Sequence, residues 1–414
     1  MNIQLNRSQQ KFLFILGITA IYITLVFWLN FLQGPYWHDE KPFWETSLTF
    51  SNSLFPTIED LRDYSELNTP LPFIIFGALE YLSGQGIFAG RLLNLILSLS
   101  IVFIIGYPNQ DKRGRAILCL IGLFLCPYYL WLSGRLYTEM IACFWVIIGF
   151  VSYIRNRHTI SCIAFILAIA SRQYTLAFPA AIATYEFILA ILKIRNIPKI
   201  NIRKIKIAEQ WIWIAPLIAA LSIFGWFYLF QGLAPQTAIE VRDTPEVQQT
   251  TWALTPGGAI NFLSFVGTYI VIPELILFRN SSILQILNQQ RRKIIIIAAV
   301  LLLYCLVFPP LLFGSGNISK LVNWLPNDIL KMVLLYSLSL LSCIRFSQPN
   351  LISLIVLFNT LIMIKAYPWD RYVLPLVVVF WYLKSVGFLD NLGSHIKPIC
   401  LSSKFRGRGL LRHL

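Results

Sequence analysis

Charge is what this sequence has least of. Asp, Glu, Lys and Arg make up 13% of its 414 residues, about half the share of a soluble domain, which excludes a cytosolic globular enzyme and a disordered chain. Histidine is scarcer, with four residues. His158 falls in an inner loop and His395 and His413 in a basic tail, so only His38 is placed to do chemistry, and a multi-histidine metal site is excluded. No C-x-x-C occurs, and six of the seven cysteines lie inside apolar blocks. Disulfides, thiolate metal sites and a secreted disulfide scaffold are therefore not indicated. Neither G-x-x-x-x-G-K-[ST] nor G-x-G-x-x-G is present, so no nucleotide cradle is expected.

What is there is hydrocarbon. Apolar residues reach 57%, gathered in blocks of about 17–22 residues, the length that crosses a bilayer core. The sequence reads as an all-α polytopic membrane protein with twelve spans near 12–32, 87–107, 116–133, 137–154, 159–171, 174–192, 211–230, 259–278, 294–313, 329–344, 351–366 and 372–389. The first block reads as a retained helix, because no small-x-small cleavage site follows it. The stretch 71–83 is too short to span and reads as a re-entrant or interfacial helix. With the N-terminus cytoplasmic, 24 of the 34 Lys and Arg fall on the inner side and 14 of the 19 acids on the outer, as the positive-inside rule requires. The net charge of +15 thus follows topology, and no segment is long enough for a nucleic-acid domain. The expected organisation is a seven-span module over 1–230 carrying an outer loop at 33–86, a second outer loop at 231–258, a membrane half at 259–389 and a basic cytoplasmic tail at 390–414. Membrane lipids meet the basic stretches.

Polar residues on the outer face form the candidate site. Tyr36-Trp37-His38-Asp39-Glu40 follows the first span, and two adjacent acids there repel, which raises at least one pKa toward a general-base value. Arg135 with Glu139, Arg172 with Gln173, and Asp370-Arg371 punctuate later spans on the same side, where arginine needs an anionic partner. Local ion pairs, Arg371 with Asp370 or Arg135 with Glu139, are the plainer explanation for each taken singly.

These motifs resemble the GT-C superfamily of integral-membrane glycosyltransferases. Asp39-Glu40 resembles its acidic pair, and Asn68-Thr69-Pro70-Leu71-Pro72 the H-P-P-L element of the protein mannosyltransferase and lipid A aminoarabinose transferase branches. Gly90-Arg91-Leu92-Leu93-Asn94 is similar to their A-x-R-L-x-N/S element. Tyr137-Thr138-Glu139, Arg172-Gln173 and Arg371-Tyr372-x-Leu374-Pro375 are similar to Y-T-E, R-Q-T and R-Y-x-L-P of the dolichyl-phosphate-glucose α-1,2-glucosyltransferase branch. Asn68 stands where His is common and Tyr174 where Thr is.

The resemblance implies a GT-C fold with loop helices on the outer face. It also implies a sugar donor carried on a polyprenyl phosphate and an acceptor hydroxyl on a glycan, lipid or protein. On that reading Asp39 and Glu40 are catalytic, and Arg371, Arg172 and Arg135 hold the donor phosphate. Tyr36, Trp37, His38, Asn68, Glu139, Gln173 and Asp370 meet sugar or acceptor. No cofactor is required, though the acidic pair leaves a divalent cation open. The location implied is a bacterial inner membrane with the site facing the periplasm. The rival class is a polyprenyl-lipid transporter or flippase; such proteins place charges near the bilayer midplane and show repeats. Here the mid-span acids are Glu186 and Glu274, and no repeat is visible.

Overall fold

The computed structural model describes residues 7–107, 113–195, 207–242, 246–250, 252–278, 291–312 and 314–389. Residues 196–206 of the basic segment, and the tail with His395, Cys400 and His413, lie outside that set. The described chain is helical; its one extended pairing is an isolated bridge between Ser315 and Trp369. In chain order come α1 (Arg7–Trp28), α2 (Glu40–Thr49), α3 (Ile58–Arg62), α4 (Leu71–Ser83), α5 (Ile87–Gly106), α6 (Arg113–Phe124), α7 (Pro127–Ser133) and α8 (Thr138–Ile154). They are followed by α9 (His158–Ser171), α10 (Ala177–Arg195), α11 (Ile207–Leu221), α12 (Ile223–Phe230), α13 (Gln236–Val241), α14 (Glu246–Gln249) and α15 (Gly257–Val266). The remainder are α16 (Ile272–Leu277), α17 (Arg291–Val307), α18 (Asn317–Asn323), α19 (Asp328–Arg345), α20 (Leu351–Ile362) and α21 (Leu374–Ser385).

Four stretches are long and apolar enough to cross a membrane: Ile87–Gly106, Gln173–Leu192, Gln210–Phe230 and Gly257–Leu277. Five further apolar helices, among them Phe12–Trp28 and Thr138–Ile154, are shorter. Helices of this length and composition are compatible with a membrane protein.

The continuous span expected at 116–133 is instead two helices, α6 and α7, meeting at 79°. Pro127 explains the break: its ring disfavours a helical conformation at the preceding residue, and Cys126 is extended, with φ −80° and ψ 108°. The first span also ends early. Beyond Trp28 the chain makes a left-handed turn in which Asn30, Phe31 and Leu32 have φ of 49°, 52° and 64°. Each such residue costs roughly 1–2 kcal/mol, so something must hold the turn.

At the centre stands α21, every residue of which is buried. It packs against α5, α6 and α8, and Trp381 lies so close to Gly122 of α6 that a Cβ there would sit 2.3 Å from the indole. A helix apolar on all sides belongs inside a bundle. This one carries Arg371 just before its first turn and Lys384 near its end. The segment 33–86 folds as α2, α3 and α4. Gly77 lets α4 approach the backbone of α2, since a Cβ would stand 2.6 Å from the Ser47 carbonyl oxygen. The segment expected as a second loop, 231–258, is fastened at both ends. Thr237 donates to Asp63 from its backbone N–H (3.1 Å) and its hydroxyl (2.7 Å), and Arg242 pairs with Glu66. At the far end Lys365 donates to the carbonyls of Thr250 (2.5 Å) and Ala253 (2.7 Å).

Candidate functional site

Arg91, in the first turns of α5, fixes the floor of the site. Its guanidinium donates from Nε and Nη2 to the two oxygens of Glu40, both at 2.9 Å. It also reaches the carbonyls of Leu32 (2.9 Å), Gly34 (2.7 Å) and Pro35 (3.2 Å). These bonds hold the left-handed turn in place. Glu40 further accepts from the N–H of Leu136 (2.8 Å) and of Trp37 (2.9 Å), and Arg135 lies 3.7 Å away. One helical turn on, Asn94 donates to the carbonyls of Arg135 (2.7 Å) and Tyr137 (2.8 Å). The Arg and Asn of the Gly90–Asn94 motif therefore each pin one of the two loops that carry site residues.

Glu40, expected to share catalysis with Asp39, is corrected by this geometry. It is wholly buried, and its lone pairs are engaged by four directed donors. It cannot turn to a substrate without releasing Arg91. For the same reason the acidic pair does not offer two free carboxylates to one divalent cation.

Asp39 is the open carboxylate. Its side chain is 31% exposed, and Oδ2 lies 2.9 Å from Nη1 of Arg371. His38 before it has φ of 42°, a strained conformation for a residue with a Cβ. Behind Arg371, Glu139 at the start of α8 is buried, 3.1 Å from Nε of Arg371 and also paired with Arg172. Arg172 then reaches the side-chain oxygen of Asn68. Aromatic faces line the group: Trp369 lies 3.4 Å from Cζ of Arg371, and Arg135 sits between Trp37 (5.0 Å) and Trp131 (5.1 Å).

Arg172 hydrogen-bonds to Glu139 and Asn68, but around Arg371 proximity does not become hydrogen bonding. Nε and Nη1 of Arg371, Nε of Arg172 and Nε of Arg135 are buried donors without a hydrogen-bond partner among the described residues. The close Asp39 and Glu139 contacts of Arg371 are charge contacts with misdirected N–H groups, and a buried donor left unpaired is costly. The cluster holds four guanidinium groups (Arg91, Arg135, Arg172, Arg371) against three carboxylates (Asp39, Glu40, Glu139). Its excess is one positive charge. Chemically, such a site can receive an anion and present an accessible carboxylate beside it.

Of the residues expected at the site, Asp39, Glu139, Arg172, Arg371 and Asn68 come together, with Arg135 and Trp37 alongside. Tyr36 and His38 are exposed at the rim. Gln173 is used elsewhere, donating to the Leu67 carbonyl at 2.6 Å. Asp370, expected to meet sugar or acceptor and also weighed as a partner for Arg371, does neither. It accepts from the hydroxyls of Tyr128 and Tyr269 (2.8 Å) and from the N–H of Ile318 (3.0 Å). Burial pushes its carboxyl above the usual range, and those donors oppose the shift. Arg135 likewise pairs with Glu40 and not with Glu139.

Glu66 was not singled out from the sequence. It is buried under Arg242 of the 231–258 segment. Burial pushes its carboxyl up to about 7; Asp39 adds to the shift, and Arg242 and Arg172 oppose it. The signal available was an acid within a cluster of seven between Asp39 and Glu66, which did not separate it from its solvated neighbours.

Compared with known proteins, the chain matches no family model, no curated protein and no solved structure.

Proposed function

We infer that the protein is a membrane glycosyltransferase of GT-C type that moves a sugar from a polyprenyl phosphate to an acceptor hydroxyl. The observation that carries this reading is Arg371: a buried, poorly hydrogen-bonded guanidinium 2.9 Å from the one accessible carboxylate of the cluster. On this reading Asp39 takes the acceptor proton while the acceptor oxygen attacks the anomeric carbon. The bond from that carbon to the phosphate oxygen breaks with inversion. The lipid phosphate leaves as an anion, needing no proton, and is received by Arg371 and Arg172. Arg135, clasped by two indoles, closes the rim where Trp37 and Tyr36 pack on sugar or prenyl chain. Glu40 works through Arg91, holding the backbone that carries Asp39.

The same reading counts twelve spans: the four long stretches, four of the five shorter apolar helices, the bent pair α6–α7, and α17, α19 and α21, with α4 (Leu71–Ser83) left as the interfacial helix. It sets the site on the periplasmic face of a bacterial inner membrane. The test is to incubate the purified protein with a panel of polyprenyl-phosphate sugars and follow sugar release. Release from at least one donor is expected, and lost on Asp39→Asn. Release from none, by protein that binds those lipids, would leave the transporter class in its place.

A further inference from the structure

A second charged cluster lies deep in the bundle. Glu274 is wholly buried near the end of the apolar stretch Gly257–Leu277, which could itself cross a membrane. The chain reaches it through a π-helical turn, Gly267–Val271, an irregularity found most often where a helix serves a function. Arg345, at the end of α19, donates to Glu274 from Nε at 2.6 Å and Nη2 at 2.9 Å. Lys384 of α21 donates from Nζ at 2.5 Å. Lys384 follows Arg371 by thirteen residues of helical chain, so the cluster is about 20 Å from the candidate site.

The charges do not balance. Two cations meet one carboxylate, and among the described residues neither cation has another acidic partner. Their side chains are only 10% and 9% exposed. Aromatic faces offset part of the excess: Phe278 is 4.5 Å from the Lys384 ammonium, and Phe346 and Phe380 lie 5.3 Å and 5.9 Å from the Arg345 guanidinium. Ring quadrupoles do not neutralise a unit charge, and an ionised group within apolar surroundings marks a binding or transport role before a structural one. Arg345 spends only Nε and Nη2 on Glu274, and Lys384 one of its three protons. A guanidinium fork beside an ammonium is the donor set that receives phosphate oxygens. Basic pockets between membrane helices take anionic lipid headgroups.

We propose that Arg345 and Lys384, oriented by Glu274, bind the phosphate of an anionic lipid headgroup between α16, α19 and α21. Glu274 is then a positioning residue that fixes the guanidinium fork and tempers the charge to a single positive unit. The proposal does not depend on the glycosyltransferase reading and can stand or fall without it.

The experiment uses the purified full-length chain in neutral detergent. Wild type and Lys384→Gln are titrated with phosphatidylglycerol and, separately, with phosphatidylcholine, and bound lipids are counted by native mass spectrometry. Lys384→Gln leaves a neutral bidentate Arg345–Glu274 pair. Wild type should retain one phosphatidylglycerol more than the variant and bind it about fivefold more tightly, with no such difference for phosphatidylcholine. Lys41→Gln, which removes an exposed lysine paired only with Glu45, should behave as wild type. If Lys384→Gln does not fold, Arg345→Gln leaves the alternative neutral pair and answers the same question. Inorganic phosphate, followed by thermal shift, separates the sources. Stabilisation of wild type but not of the variant, without any lipid difference, would keep the anion site and overturn the lipid as its occupant. Equal lipid counts and affinities, with no phosphate effect, would reduce the triad to a structural staple.

Discussion

Asp39 and Glu40 are neighbours in sequence and opposites in circumstance. Glu40 is sealed in, bound bidentately by Arg91 and by two backbone N–H groups. Asp39, one residue away, is partly open and faces an arginine that lies near two carboxylates yet bonds squarely to neither. The difference separates a sealed scaffold from a group left free to react. A polar cluster with every donor and acceptor met is rigid and has nothing left to offer. One with buried donors still unmet is held at a cost and is ready for a ligand.

The sharpest way to break this comparison is Asp39→Asn, which keeps size while removing the charge. Transfer from a polyprenyl-phosphate sugar should fall by about 10²–10⁴-fold with little change in melting temperature. Near-normal turnover would return the base role to another group. Arg91→Met should invert that pattern, because it strands Glu40 and frees three carbonyls. Opening a buried pair costs about 3–5 kcal/mol, so a large drop in thermal stability is expected in detergent. An unchanged melting temperature would show that the scaffold does not rest on Arg91. Arg371→Lys keeps the charge but loses the planar fork. Transfer should drop roughly 10–100-fold, the worth of one or two charge-assisted hydrogen bonds. Wild-type rates with lysine there would mean that position supplies charge alone.

The smallest effect belongs to Glu66. Its carboxyl is raised from the ordinary 4.5 to about 7, so the folded protein holds that proton more tightly than the unfolded chain. Stability from this source is complete below about pH 4.5 and is lost as pH rises toward 7. Glu66→Gln should flatten that part of the curve of melting temperature against pH. A variant curve parallel to wild type would place the titration elsewhere.

The sequence made the class legible because apolar runs and scarce charge are read directly by a bilayer. It also singled out Arg135, Arg172 and Arg371, which the structure gathers around Glu40, Glu139 and Asp39. It did not separate Asp39 from Glu40, because which carboxylate is sealed depends on Arg91, 51 residues past Glu40. The reading of Asp370 failed for the same reason: proximity in sequence suggested Arg371, while Tyr128 and Tyr269 from distant helices took the oxygens. Hydropathy was equally blind to α21. Lipid and protein interior are both apolar, so a helix enclosed by its neighbours and one facing hydrocarbon spell alike. Helix length was over-read as well, since a run such as 116–133 counts residues without registering that Pro127 turns the path.

The left-handed turn at Asn30-Phe31-Leu32 imposes an order on biogenesis. Its backbone is unfavourable by itself, and the guanidinium that pins the Leu32 carbonyl is supplied 59 residues later. During synthesis the chain from residue 30 onward is therefore without its clasp until α5 has been made and has come to rest beside α1. A chain stopped before residue 91 would lack every guanidinium bond that holds the Leu32, Gly34 and Pro35 carbonyls.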